Sequence, residues 1–286
     1  MRALVVGGSG RIGRMVRRAW TQAPPPGTEL VFQTRTPAAS SEDLLWDPLG
    51  DDIYALKRAG PFDAMLVLSG VVPKPSALFS LNSAIGLACG AAAAACGIPR
   101  VLLASTSAVY GAALARAYSE DDPCTPVNEY GRAKLKMEAV CLAQAQTTRT
   151  ELCCLRIGNV AGADVLLING RALQGDARLR LDRFSDGGTP LRSYIGPATL
   201  ARVLARLMLH DAPLDPLLNI AVPVPVAMGD LVEAAAIPFD LQPAPATAHQ
   251  NVILECSRLA AIYPFALGDG QPSVIIDQWH QLRDPL

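Results

Sequence analysis

Tyr130 and Lys134 stand four residues apart in Tyr130-Gly131-Arg132-Ala133-Lys134. On a helix that spacing puts a phenol and an ammonium one turn apart on the same face. A phenol with an ordinary pKa of about 10 is a poor base at neutral pH, and a cation beside it favours the phenolate. Tyr130 so placed can take a proton from an alcohol, or give one to a carbonyl, as hydride moves. By itself the pattern equally describes an amphipathic surface helix. A hydroxyl cluster narrows the choice. Ala104-Ser105-Thr106-Ser107-Ala108-Val109-Tyr110-Gly111 follows the apolar run Val101-Leu102-Leu103, so Thr106 and Ser107 are expected at the C-terminal edge of a strand. Open α/β sheets bind ligands at that edge, and a hydroxyl there can donate to a substrate oxygen and stabilise developing charge.

Near the start of the chain lies a glycine loop, Gly7-Gly8-Ser9-Gly10-Arg11-Ile12-Gly13, directly after Ala3-Leu4-Val5-Val6. It reads as G-x-G-x-x-G from Gly8 or as G-x-x-G-x-x-G from Gly7. Strand, glycine turn and helix in that order form the context of a dinucleotide fingerprint. The glycines allow close backbone approach to a pyrophosphate held at the helix N-terminus. Gly7, Gly10, Arg11, Ile12 and Gly13 are therefore expected against the cofactor. An acid at the end of the second strand would accept from a ribose 2′-hydroxyl. Here Glu29-Leu30-Val31-Phe32 runs into Gln33-Thr34-Arg35. Arg35 is either a partner for a 2′-phosphate or a solvated loop residue. The expectation is NADP in preference to NAD.

The elements that must carry these groups follow from periodicity. Continuous apolar runs recur at Ala3 to Val6, Leu30 to Phe32, Ala64 to Leu68, Val101 to Leu103 and Leu152 to Ile157. Helix-length segments lie between them at Ile12 to Trp20, Ser80 to Cys96 and Tyr130 to Gln144. Such alternation predicts an α/β fold with a Rossmann-like, doubly wound parallel sheet, covered on both faces. Pro/Gly-rich stretches at Ala23 to Gly27 and Asp122 to Pro126 read as loops. After Gly158 the pattern is less regular. A nucleotide-binding domain over 1–158, completed by part of 192–220, is expected to carry an interleaved, smaller C-terminal substrate lobe over 159–286.

Composition sets the class. Half of the 286 residues are apolar, and 25 Lys+Arg balance 26 Asp+Glu, so the charge surplus needed for nucleic acid or an anionic membrane is missing. Gly86 to Cys96 is apolar but too short to span a bilayer, and the first residues lack a signal-peptide pattern. Seven cysteines without a C-x-x-C pair, and three scattered histidines, argue against a disulfide framework and a metal site. These features imply a cytoplasmic protein acting on a small-molecule substrate.

In their order along the chain, the glycine loop, the S-[ST]-x-x-V-Y-G segment at Ser105 to Gly111 and the Y-x-x-x-K resemble the extended short-chain dehydrogenase/reductase family, also called the NAD-dependent epimerase/dehydratase family. The resemblance covers about Met1 to Leu207, and the opening segment is similar to that of UDP-galactose 4-epimerases. It implies catalytic roles for Tyr130, Lys134 and Thr106, with Tyr130 and Lys134 also meeting the cofactor. It further implies that Leu68-Ser69-Gly70 and Asn82 lie against the cofactor. Asn159 of Leu155-Arg156-Ile157-Gly158-Asn159 and Arg192 of Leu191-Arg192-Ser193-Tyr194-Ile195 would face substrate, and a homodimer is suggested. The chain departs from the family at three points. Ser107-Ala108 replaces the dehydratases' Asp-Glu pair, Thr34-Arg35 stands where epimerases carry an acid, and Gly196-Pro197-Ala198-Thr199 replaces H-V-x-D. These departures favour a reductase or dehydrogenase acting at a secondary alcohol or carbonyl. A nucleotide-sugar epimerase is the alternative, and a non-catalytic dinucleotide sensor a third reading.

Overall fold

The computed structural model describes residues 1–36, 43–50, 52–111 and 116–284. Its frame is built from strands β1 (Arg2–Val6), β2 (Glu29–Thr34), β3 (Leu44–Leu45), β4 (Ala64–Val67), β5 (Arg100–Thr106) and β6 (Glu151–Ile157). Helices α1 (Arg11–Gln22), α2 (Ile53–Ala59), α3 (Leu81–Ala95) and α4 (Glu129–Ala145) connect them. Among the described residues, these strands and Leu217–Ile220 form one seven-stranded sheet. Its order is Leu217–Ile220, β6, β5, β4, β1, β2, β3, and the pairings are parallel. Strand order reverses between β1 and β4, the point where a doubly wound sheet opens a ligand crevice beyond its carboxyl ends.

Both faces of the sheet are buried, which is why its strands read as unbroken apolar runs. Val5, Leu66, Leu102 and Leu155 pack against α1 and the helices Pro197–Met208 and Pro272–Leu282. Leu4, Met65 and Leu103 face α3 and α4. Those two helices touch closely because α3 is built of small residues. A Cβ at Gly86 would lie 2.7 Å from Cys141 Sγ, and one at Gly90 would lie 2.5 Å from Gln144 Oε1.

Periodicity located the five long strands and α1, α3 and α4 to within one or two residues, except that β5 runs three residues past Leu103, to Thr106. It did not announce β3, which has two residues, or α2, which has seven. Beyond β6 the chain makes short pieces: Leu191–Arg192 pairs with Val226–Ala227 and Asn251–Val252, and Leu179–Arg183 pairs with Phe239–Pro243. No helix among the described residues is long and apolar enough to cross a membrane.

Candidate active site

The glycine loop takes the G-x-x-G-x-x-G reading. Gly7 has φ of 91°, the left-handed region open to glycine. A Cβ on Gly13 would sit 2.2 Å from the Gly7 carbonyl oxygen, so only glycine lets α1 start this close to the turn. Gly10 is the N-cap of α1 and offers no side-chain cap, and the first turn holds no acid. The leading N–H groups of α1 therefore have no capping side chain and favour an anion. Loop and helix start together fit a dinucleotide pyrophosphate, without further adjustment of the chain.

Past the ends of β4 and β5 opens a cavity of about 500 Å³. Arg11, Ile12, Leu68 and Gly70 line it on the glycine-loop side, and Thr106, Ser107, Tyr130 and Lys134 on the β5–α4 side. Asn159 and Arg192 close it from the opposite side. Gly7, Gly10 and Gly13 lie beneath as the turn itself, and Ser69 packs on Gly7. Asn82 is buried, and its amide is spent on the chain. It accepts from Val71 N at 3.0 Å and donates to the carbonyls of Val71 and Phe79, each at 3.1 Å. It therefore shapes the loop after β4.

Asn128 caps α4 by accepting from Gly131 N at 2.8 Å, which starts the helix one residue before Tyr130. The Tyr130 ring is half-buried against Phe79, with centroids 5.9 Å apart. Burial pushes the phenol above its ordinary pKa, and the Thr106 hydroxyl beside it pulls it back. Thr106 Oγ1 also accepts from Ala108 N at 3.2 Å, fixing the turn after β5. Lys134 is 4% exposed, and its ammonium donates to the Ala104 carbonyl at 2.9 Å. Burial pulls it down to about 8, against the influence of Cys154, Glu138 and Cys141. A Cβ on Gly70 would come within 3.0 Å of Lys134 Nζ, so the backbone at Gly70 covers the ammonium. Phenol, hydroxyl and ammonium thus converge from β5 and α4, an arrangement able to pass a proton to or from an oxygen in the cavity.

Arg192 lines the cavity with its guanidinium turned to the chain. It donates to the carbonyls of Leu191 and Gln250 at 2.8 and 2.7 Å, and to that of His249 at 3.1 Å.

Arg35 is exposed and lies outside the second groove, of about 330 Å³, beside the glycine loop. That groove is lined by Gly8, Ser9, Gln33, Thr34, Asp43 and three arginines of α1, Arg14, Arg17 and Arg18. Gln33 accepts from Gly7 N at 3.2 Å and donates to the Trp46 carbonyl. Arg17 binds Asp43 through two hydrogen bonds of 2.8 and 2.7 Å. Sequence reasoning passed over Gln33 and the α1 arginines. The available signal was their spacing, which stacks Arg14, Arg17 and Arg18 on one helix face.

A model of the NAD dependent epimerase/dehydratase family matches residues 3–221. The chain belongs to that family. As a member, it is an enzyme of the extended short-chain dehydrogenase/reductase type. A UDP-glucose 4-epimerase of Azospirillum brasilense is 30% identical over 238 residues, covering 73% of this chain and 68% of that protein. Among solved structures, the Thermus thermophilus UDP-glucose 4-epimerase in complex with NAD superposes with a TM-score of 0.72 at 21% identity, over 98% of this chain and 99% of that one. The UDP-Glc/GlcNAc 4-epimerase of Campylobacter jejuni gives 0.77 at 18%, with the same coverage. At those identities the structures share the fold with this family member.

Proposed function

We propose that the protein is an NADP-linked cytoplasmic oxidoreductase acting at a secondary alcohol or carbonyl of a small or sugar-like substrate. The observation that carries this reading is that Thr106, Tyr130 and Lys134 line one cavity together, with the Lys134 ammonium buried against the Ala104 carbonyl. The nicotinamide, when bound, supplies the hydride chemistry. Tyr130 handles the proton at the substrate oxygen, Thr106 and Ser107 donate to that oxygen, and Lys134 holds positive charge beside the phenol and the nicotinamide ribose. Gly7, Gly10, Arg11, Ile12 and Gly13 bind the pyrophosphate. Leu68, Ser69 and Gly70 back the cofactor, and Asn82 holds their loop. Asn159 and Arg192 face substrate from a lobe over 159–286.

The preference for NADP is supported by the strand tip, where Gln33 and Thr34 bring no carboxylate, and by Arg14, Arg17 and Arg18 around the adjoining groove, although Arg17 pairs with Asp43 there and Arg14 and Arg18 with Asp284. Arg35, exposed nearby, can add to that field. A nucleotide-sugar epimerase is the second reading, favoured by the Azospirillum relative. A homodimer through helices including α4 is consistent with either. Turnover of carbonyl and nucleotide-sugar panels separates them. Reduction that requires added NADPH is expected, whereas isomerisation by the purified enzyme with no added cofactor would overturn the reductase reading. Binding of NADPH with no turnover on any panel would leave the sensor reading in its place.

A further inference from the structure

The Lys134 ammonium is buried without an ion-pair partner among the described residues. It meets the Ala104 carbonyl at 2.9 Å and Met137 Sδ at 3.7 Å. One turn further along the same face of α4 lies Glu138, itself 2% exposed. Its carboxylate accepts from Ser105 Oγ on β5. It also accepts from Arg156 on β6, at 2.8 Å from Nη2 and 3.2 Å from Nε. One carboxylate thus ties α4 to both strands. Ser105 stands between Ala104, which receives the Lys134 bond, and Thr106, which lines the cavity beside Tyr130. The Glu138–Ser105 contact therefore fixes the register in which both of those meetings occur.

We propose that Glu138 is a positioning residue of this centre, setting the register of α4 on β5 and β6 and, in balance with Arg156, the charge of Lys134. The inference rests on Lys134 being the working cation of the Tyr130 site. A buried ammonium with no nearby anion gives up its proton readily. The ionisable groups around Lys134 are Tyr130, Glu138 and Cys141 on its own helix, and Cys154 and Arg156 on β6. Gly70, Asn82 and the end of β5 bring none. After Cys154, Glu138 is the group that most favours the charged ammonium, and it lies one turn from Lys134 on the same helix face. Arg156, paired with Glu138, cancels part of that effect.

The two charges therefore act in opposite senses, which a purely structural clamp would not do. Lys57, Lys74, Lys134 and Lys136 are the lysines of the chain, so the Lys134 titration can be followed by NMR on ¹³Cε-lysine protein without cofactor. Glu138→Gln is expected to move that titration to lower pH by about one unit, a tenfold change in the ratio of charged to neutral ammonium. Arg156→Gln is expected to move it to higher pH. In the NADPH-loaded enzyme, the alkaline limb of kcat should follow each titration in the same direction. Breaking a buried ion pair is strongly destabilising. If a single variant does not fold, Glu138→Gln/Arg156→Gln serves instead, with a downward shift smaller than that of Glu138→Gln. An unmoved Lys134 titration in the folded variants, or single variants that shift it in the same direction, would overturn the proposal. The titration is read without turnover, so its failure is distinct from failure of the hydride-transfer reading, which falls if Tyr130→Phe retains full activity.

Discussion

The two walls of the large cavity are held by different kinds of bond. On the β5–α4 side, side chains hold one another. Glu138 joins Ser105 to Arg156, and Arg156 Nη1 donates to Tyr110 OH at 3.0 Å. Tyr110 OH in turn donates to Asn219 Oδ1 at 2.7 Å. On the opposite side, two-residue strands hold the wall through backbone pairing, and Arg192 is anchored by carbonyl oxygens. A buried side-chain network, here short of a hydrogen bond only at Glu120 Oε2 among the described residues, fixes atoms closely, whereas short strands and loops tolerate exchange. Under the proposed function, the difference would give reaction chemistry to the first wall and substrate choice to the second.

The largest test of that division is Tyr130→Phe. It should lower kcat by about 10²–10⁴-fold, the usual worth of a positioned acid–base group, while leaving NADPH affinity unchanged in a fluorescence titration. Comparable loss from a change on the lobe wall would erase the distinction.

Lys134 offers a second test, through pH. Its pKa falls from an ordinary 10.5 to about 8 in the folded protein. Between those values the unfolded chain binds more protons, so this group's contribution to stability rises as pH increases through that window. The gain amounts to about 3 kcal/mol. Cys89 and Cys256, pushed up to about 12 by burial, act in the opposite sense over alkaline pH. The readout is therefore the difference in denaturant stability between wild type and Lys134→Met. That difference should shift in favour of the wild type from pH 8 upward, and a flat difference would mean that Lys134 is not desolvated.

Arg192→Met, on the lobe wall, should raise KM by about tenfold, equivalent to about 1.4 kcal/mol, with kcat retained. A fall in kcat without a change in KM would move Arg192 to the reacting wall. The smallest effect is expected at the adenosine end. Thr34→Asp, at a half-buried position lining the groove, places a carboxylate there and should cost NADPH binding about 1 kcal/mol relative to NADH, a surface-scale charge effect. Thermal-shift titration with each dinucleotide measures it, and equal losses for both would remove the strand tip from cofactor choice.

Much of the reacting wall could be read in the linear chain. Thr106 ends an apolar run, Tyr130 and Lys134 share a helix face, and Gly7 to Gly13 follow the first strand, so each signal lies within one element and its neighbours. The arginines at the groove beside the glycine loop carry no motif of their own, whereas Arg35 stands at the strand tip, and the structure leaves Arg35 exposed outside the groove. Asn82 and Arg192 were legible as polar positions near the site. That their donors are committed to Val71, Phe79, Gln250 and His249 was not. Those partners lie on loops and two-residue strands with no period to read.

By itself, then, the sequence determined the alternation of strand and helix, the dinucleotide turn and the phenol–ammonium pair. Each depends on backbone geometry that repeats over a few residues, and neighbours in the chain are enough to specify it. Only the tertiary structure decided that Leu217–Ile220 lies beside β6, that Glu138 reaches both Ser105 and Arg156, and that α1 turns Arg14, Arg17 and Arg18 to the groove. These contacts join residues brought together by burial of the two sheet faces. Which polar groups must then satisfy one another is a property of the packed core.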